Sequence, residues 1–183
     1  GEEAVEEIHR CVDQGLTGIG ELHPDSQGFD ISDKKLMQPL IDEAREQTMP
    51  IVIHASEPVG HDYPGKGRVT PDMLYKLALN FPEARLVFAH WGGGLPFYGL
   101  MPEVPDLIKN VFFDTAASPF LYKEEIFRSV TNIIGYDRVV LGTDFPLLDQ
   151  NRVIRQLIDA CISDDAKEAI LYKNGLNILG ISG

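Results

Sequence analysis

The chain is predicted to be an α/β protein of the (β/α)8 TIM-barrel type, present as five of the eight strand–helix units. Three observations lead there. Short apolar, β-branched runs alternate with longer segments of helical periodicity. The runs are hydrophobic almost without interruption, as parallel strands covered on both faces should be. Their ends recur at barrel spacing: Glu21, His54, His90, Asp114 and Asp144 are 33, 36, 24 and 30 residues apart, against about 31 per unit in a barrel of ~250 residues. Closing the barrel takes about three more units, on the order of 90 residues. An open doubly wound sheet also fits five strands, but no glycine-rich phosphate loop follows the first one.

The predicted strands are Leu16–Leu22, Pro50–His54, Arg85–His90, Val111–Thr115 and Arg138–Asp144, each ending in a polar residue and a turn-rich loop. Helices fill the gaps. Glu2–Gln14 carries Val5, Ile8, Cys11 and Val12 on one face, and Asp33–Gln47 carries Leu36, Leu40, Ile41 and Ala44. A third opens on Thr70 as N-cap with Pro71 at its first position. Lys123–Ile134 and Gln150–Cys161 follow the same period, and a last helix starts near Ser163. Residues 1–183 are expected to form a single domain, with 44% hydrophobic and 24% charged residues excluding a disordered chain.

A net charge of −12 repels polyphosphate, so nucleic acid is not an expected partner. No apolar run approaches the ~20 residues that span a bilayer, and no basic helix invites a membrane surface. Cys11 and Cys161 lack CxxC spacing and read as semi-buried thiols of a cytoplasmic protein. The expected partner is a small-molecule substrate, with a homo-oligomer as a further possibility to cover an exposed strand edge.

Chemistry concentrates at the strand C-termini, where barrel enzymes place it. His54, after four apolar residues, reads as a metal ligand through a ring nitrogen, against the alternative of a hydrogen-bonded core histidine. His90, in LVFAHWGGGLPFY, reads as a general acid/base or as an electrophile. Gly93, central in the glycine run, would let backbone approach substrate, and Trp91 would either wall the pocket or pack the barrel. Asp144, flanked by Gly142 and Pro146, can bind a metal and accept the proton of a metal-bound water, or cap a turn. Glu21 is either a metal-proximal carboxylate or the partner of a buried cation. Asp114 either orients a histidine or bonds within the barrel. His23 reads as a bystander in the loop, and His9 as a solvated surface residue. The loop after His54 places His61, Tyr63, Lys66 and Arg68 among Gly and Pro as a lid or substrate contact.

The segments GIGELHP, PIVIH, RLVFAHWGGGLPFY, NVFFDTAASP and RVVLGTDFPLL, in that order along the chain, resemble the amidohydrolase-related family of the amidohydrolase superfamily. That branch contains aminocarboxymuconate semialdehyde decarboxylase and other metal-dependent barrel hydrolases and decarboxylases. The resemblance implies that the five strands are the fourth to eighth of the barrel. It implies that His54 is the fifth-strand metal ligand, His90 the sixth-strand catalytic histidine and Asp144 the eighth-strand metal-binding aspartate. It also implies a divalent cation, usually zinc. The expected activity is hydrolysis of a C–N or C–O bond by metal-activated water, with non-oxidative decarboxylation of an aromatic or muconate-like acid as the alternative. The family's His-x-His pair of metal ligands has no counterpart in this sequence, so the expectation is a piece of a longer polypeptide, or failing that a catalytically incomplete relative.

Overall fold

A computed structural model describes residues 2–181. Five parallel strands, β1 (Ile19–Leu22), β2 (Ile51–Ile53), β3 (Leu86–Phe88), β4 (Val111–Asp114) and β5 (Val139–Val140), pair in the order β1-β2-β3-β4-β5. That sequential order decides the architecture. Right-handed crossovers between consecutive neighbours all place their helices on one side of the sheet, as in a barrel wall. A doubly wound sheet reverses its order at a switch point, and none is present among the described strands.

The side-chain alternation of strands separates the two faces. Ile51, Ile53, Leu86, Phe88, Val111 and Phe113 pack with Met37, Ile41, Leu74 and Leu77 from helices Lys34–Glu46 and Pro71–Asn80 in the largest core cluster. Val52, Val87, Phe112 and Val140 form the other set, joined by Ile178. A further cluster seats helix Glu125–Ile134 through Phe127 and Val130, and helix Gln150–Asp159 through Leu157, against Val139 and Trp91.

The last helical run, Asp164–Leu179, contains a wide π turn at Ala169–Lys173. A π turn releases carbonyls from the regular ladder, and Ile170 O accepts a bond from Leu141 N at 3.0 Å, just past β5. Buried Asn174 donates to Val139 O at 2.7 Å and to Tyr136 O at 2.8 Å. The run is thereby tied to the last strand.

The strands are shorter than the sequence suggests, and the difference matters for the site. Asp144 lies four residues beyond β5, with φ of 62°, rather than at the strand end. His90 lies two residues beyond β3, in a turn. Thr70 is at the N-cap position of helix Pro71–Asn80, but its hydroxyl bonds Asp72 instead of capping the helix backbone. Cys11 is partly buried as expected, whereas Cys161 is exposed, because helix Gln150–Asp159 ends before it. His9 is exposed as read, although it also reaches Glu43 at 2.8 Å.

Candidate active site

The floor of the site is assembled by three strand ends. Gly20 lets β1 approach β2 closely: with φ of 134°, a Cβ there would stand 2.7 Å from Val52 O. Glu21 is thus brought beside His54, and its Oε1 lies 2.9 Å from His54 Nδ1 and 3.6 Å from His90 Nε2. One ligand atom from each of Glu21, His54 and His90 lies within 4.8 Å of the others. Glu21 therefore stands both among the candidate metal donors and beside the buried His90 imidazole, so the two readings of it meet in one place.

The turn after β3 explains how a buried histidine reaches this point. His90, Trp91, Gly92, Gly93 and Gly94 all have positive φ, at 54°, 56°, 56°, 58° and 95°. Left-handed backbone is costly for His and Trp, so something must hold it. Asp114, at the end of β4, accepts from the backbone N–H of His90 and of Ala116, both at 2.9 Å. The His90 ring is fixed as well, its Nδ1 lying 3.1 Å from Ala116 O. That contact leaves Nε2 as the ring nitrogen facing Glu21.

Electrostatics follow from this packing. Burial opposes a charge on His90, but the Glu21 hydrogen bond and the Asp114 and Glu21 charges outweigh it and lift its pKa to about 9. Burial also works against ionised Glu21, yet hydrogen bonds to His54 and His90 hold its carboxyl down at about 2. Asp114 is pushed upward by burial, with the His90 charge and two backbone donors opposing.

A cavity of about 520 Å³ opens above the floor, lined by Glu21, His23, His54, His61, Tyr63, His90 and Asp144, with Phe120, Leu121, Leu147 and Pro64 as apolar walls. His61 and Asp144 both line this cavity, but Asp144, expected to bind a metal, lies outside the Glu21–His54–His90 donor group. Trp91 is not on the pocket. Its indole is fully buried, packs edge-on against Phe127 and donates to Ser118 Oγ at 2.9 Å, which corrects the pocket-wall reading. Gly93 is not a substrate contact either: a Cβ there would stand 2.4 Å from Ser56 O, and its N–H is spent on His90 O. Lys66 is likewise a loop staple, donating to Val59 O and His61 O at 3.2 and 3.1 Å.

His23, read as a bystander, is the residue the sequence reading missed. Its ring stacks on that of His54 with centroids 4.2 Å apart. The signal was available, since residues two apart in extended chain point to one side, and His23 is two from Glu21. The loop carrying His61 and Tyr63 is clamped by Arg68, whose N–H and Nε bond Asp25 at 2.6 and 2.8 Å.

The donor chemistry fits a divalent cation. Ligands 2.0–2.2 Å from a tetrahedral zinc are roughly 3.3–3.6 Å apart, and the Glu21 oxygen has its two nitrogen neighbours at 2.9 and 3.6 Å. Two imidazoles and a carboxylate also reach the three-ligand minimum of a catalytic zinc site.

Parallel strands in sequential order, with imidazoles and carboxylates converging beyond their C-terminal ends, define the class of metal-dependent barrel proteins. Within that class the chain belongs to the amidohydrolase family, whose sequence profile matches residues 1–181. A curated relative, 2-amino-3-carboxymuconate-6-semialdehyde decarboxylase of Dictyostelium discoideum, is 26% identical over 98% of this chain and 58% of its own length. The chain thus spans little more than half of that relative. In fold it is similar to the 5-carboxyvanillate decarboxylase of Sphingomonas paucimobilis, with a TM-score of 0.75, 16% identity and coverage of 97% and 63% of the two chains. It is similar too to a dihydroxybenzoic acid decarboxylase of Polaromonas, solved with bound manganese and the inhibitor 2-nitroresorcinol, with a TM-score of 0.69, 18% identity and coverage of 98% and 65%. No helix among the described residues is long and apolar enough to cross a membrane.

Proposed function

We propose that this chain carries the active centre of a divalent-metal-dependent, non-oxidative decarboxylase of a small planar carboxylic acid. The observation that carries the reading is the make-up of the pocket, in which Glu21, His54 and His90 meet beneath walls of Phe120, Leu121 and Leu147. Such a pocket suits a flat, conjugated acid with its polar edge down and its carbon skeleton against the apolar wall. The decarboxylase relative supports the same reading.

Glu21, His54 and His90 would hold the cation, which supplies Lewis-acid charge to the substrate's oxygen atoms when bound. The apolar walls orient the ring and exclude water. Asp144 carries the proton: it delivers it to the carbon bearing the carboxylate, the C–C bond breaks as its electron pair returns to the conjugated system, and carbon dioxide leaves. The carboxylate is then reprotonated from solvent. A second reading, hydrolysis of a C–N or C–O bond, is favoured by the same Asp144 if it accepts a proton from attacking water instead of giving one.

The test is carbon dioxide release from 2,6-dihydroxybenzoate, 5-carboxyvanillate and 2-amino-3-carboxymuconate-6-semialdehyde by the full-length protein loaded with Zn2+ or Mn2+. Release from at least one of them is expected, together with its loss in Asp144→Asn at unchanged metal content. Hydrolysis of aryl esters or amides without any carbon dioxide would transfer the assignment to the second reading, and failure to take up metal would end both.

A further inference from the structure

His23 occupies the turn between β1 and the short helix Pro24–Gln27 and acts as that helix's N-cap residue. Its ring is held at one edge and one face, and its backbone is held as well. Nδ1 accepts the backbone N–H of Ser26 at 3.3 Å, and the Ser26 hydroxyl lies 2.7 Å from the same nitrogen. The residue's own N–H donates to Gln27 Oε1 at 2.7 Å. The ring face lies on His54, 19° from parallel.

This arrangement selects a tautomer. A backbone N–H can only donate, so Nδ1 must be the bare nitrogen and a neutral ring carries its proton on Nε2. Among the described residues Nε2 has no hydrogen-bond partner, and the ring lines the cavity beside Glu21 and His54. A donor with a fixed direction on the wall of a pocket that pairs such polar groups with the apolar Phe120, Leu121 and Leu147 is an orienting group for a ligand oxygen.

We infer that His23 is a substrate-contacting specificity residue, whose Nε2–H donates to a carboxylate or phenolate oxygen of the bound acid alongside His54. The inference deepens the decarboxylase reading and rests on it for the identity of the ligand, but not for the donor itself. It explains why a side chain one residue past the strand is stacked on a candidate metal donor instead of turning to solvent. It also assigns the Ser26 contact a purpose, which is to keep the Nε2 proton in place.

The test uses the Zn2+-loaded full-length protein and begins with acetate as the probe. Long-range 1H–15N correlation spectra should show His23 as the Nε2–H tautomer, and acetate should shift that resonance saturably. In His23→Phe, which keeps a flat ring over His54 without the donor, 2,6-dihydroxybenzoate should bind ~10–100-fold more weakly, as expected for losing one hydrogen bond to a charged acceptor, while zinc content stays the same. An Nδ1–H tautomer, an acetate titration that leaves His23 unmoved, or full affinity in His23→Phe would each overturn the inference. A His23 resonance that responds to acetate in a protein that neither binds nor converts the ring acids would uphold the donor and overturn the decarboxylase reading.

Discussion

Replacing Asp114 with alanine should damage the protein more than its distance from the pocket suggests. The carboxylate is buried, and one oxygen accepts two backbone N–H groups at 2.9 Å, those of His90 and Ala116. Hydrogen bonds to a charged acceptor contribute about 1.5–3 kcal/mol each, so removing both costs about 3–6 kcal/mol before any offset. The offset is relief of a buried charge, since burial already pushes this carboxyl upward, and it brings the net loss to about 3 kcal/mol. With a urea dependence of about 2.5 kcal/mol per molar, the midpoint should fall by roughly 1.2 M. Asp114→Asn keeps an acceptor oxygen and should lose about 1–2 kcal/mol. Urea unfolding of metal-free protein, followed by circular dichroism, measures all three. A midpoint for Asp114→Ala within about 0.2 M of wild type refutes the two-amide account, as does an asparagine variant as damaged as the alanine one.

Two other perturbations probe neighbouring parts of the same framework. In metal-free protein, Glu21 sits at about 2 against an ordinary 4.5, so its contribution is present above pH 4.5 and lost as pH falls towards 2. His90 sits at about 9 against 6.5, so its contribution is complete below pH 6.5 and lost as pH rises through 9. Thermal midpoints should accordingly be highest between pH 4.5 and 6.5, and Glu21→Gln should flatten the alkaline decline; an unchanged decline would mean that the pair is not its source. Gly93→Ala places a methyl 2.4 Å from Ser56 O at a φ of 58°, and neither backbone can yield cheaply. A loss of more than about 3 kcal/mol, or insoluble expression, is expected, and a variant of wild-type stability would show that the turn is not held as described.

The sheet was legible because its signal is local and repeated: five apolar runs recur every 24–36 residues. Most of them are separated by an amphipathic helix, although only short helical turns, Leu95–Leu100 and Val104–Leu107 among them, join β3 to β4. The boundaries were not, because Arg138–Asp144 keeps strand-like composition after pairing stops at Val140. The site was legible to the level of which strand ends contribute, since parallel strands bring their C-termini to one rim. What periodicity cannot carry is backbone handedness. AHWGGG reads as a flexible approach to substrate, whereas the structure uses its glycines to continue a left-handed turn begun by His90 and Trp91. The fate of Lys66 was hidden for a related reason. A lysine in a Gly/Pro loop can face a ligand or close the loop on itself, and only the carbonyls of Val59 and His61 decide between them.

That turn also joins two parts of the site that sequence keeps far apart. Gly93 lies against the backbone of Ser56, while the Ser56 hydroxyl lies 3.3 Å from His54 Nε2 and accepts the N–H of Gly67 at 2.9 Å. Gly67 is in turn next to Arg68, the residue that clamps the loop to Asp25 beside the His23 turn. Through this chain of contacts the backbone that presents His90 also supports His54 and the loop bearing His61 and Tyr63. A displacement at any one link alters both donor spacing and the pocket wall, so metal affinity and ligand affinity should change together in variants of Ser56, even though Ser56 is itself fully buried.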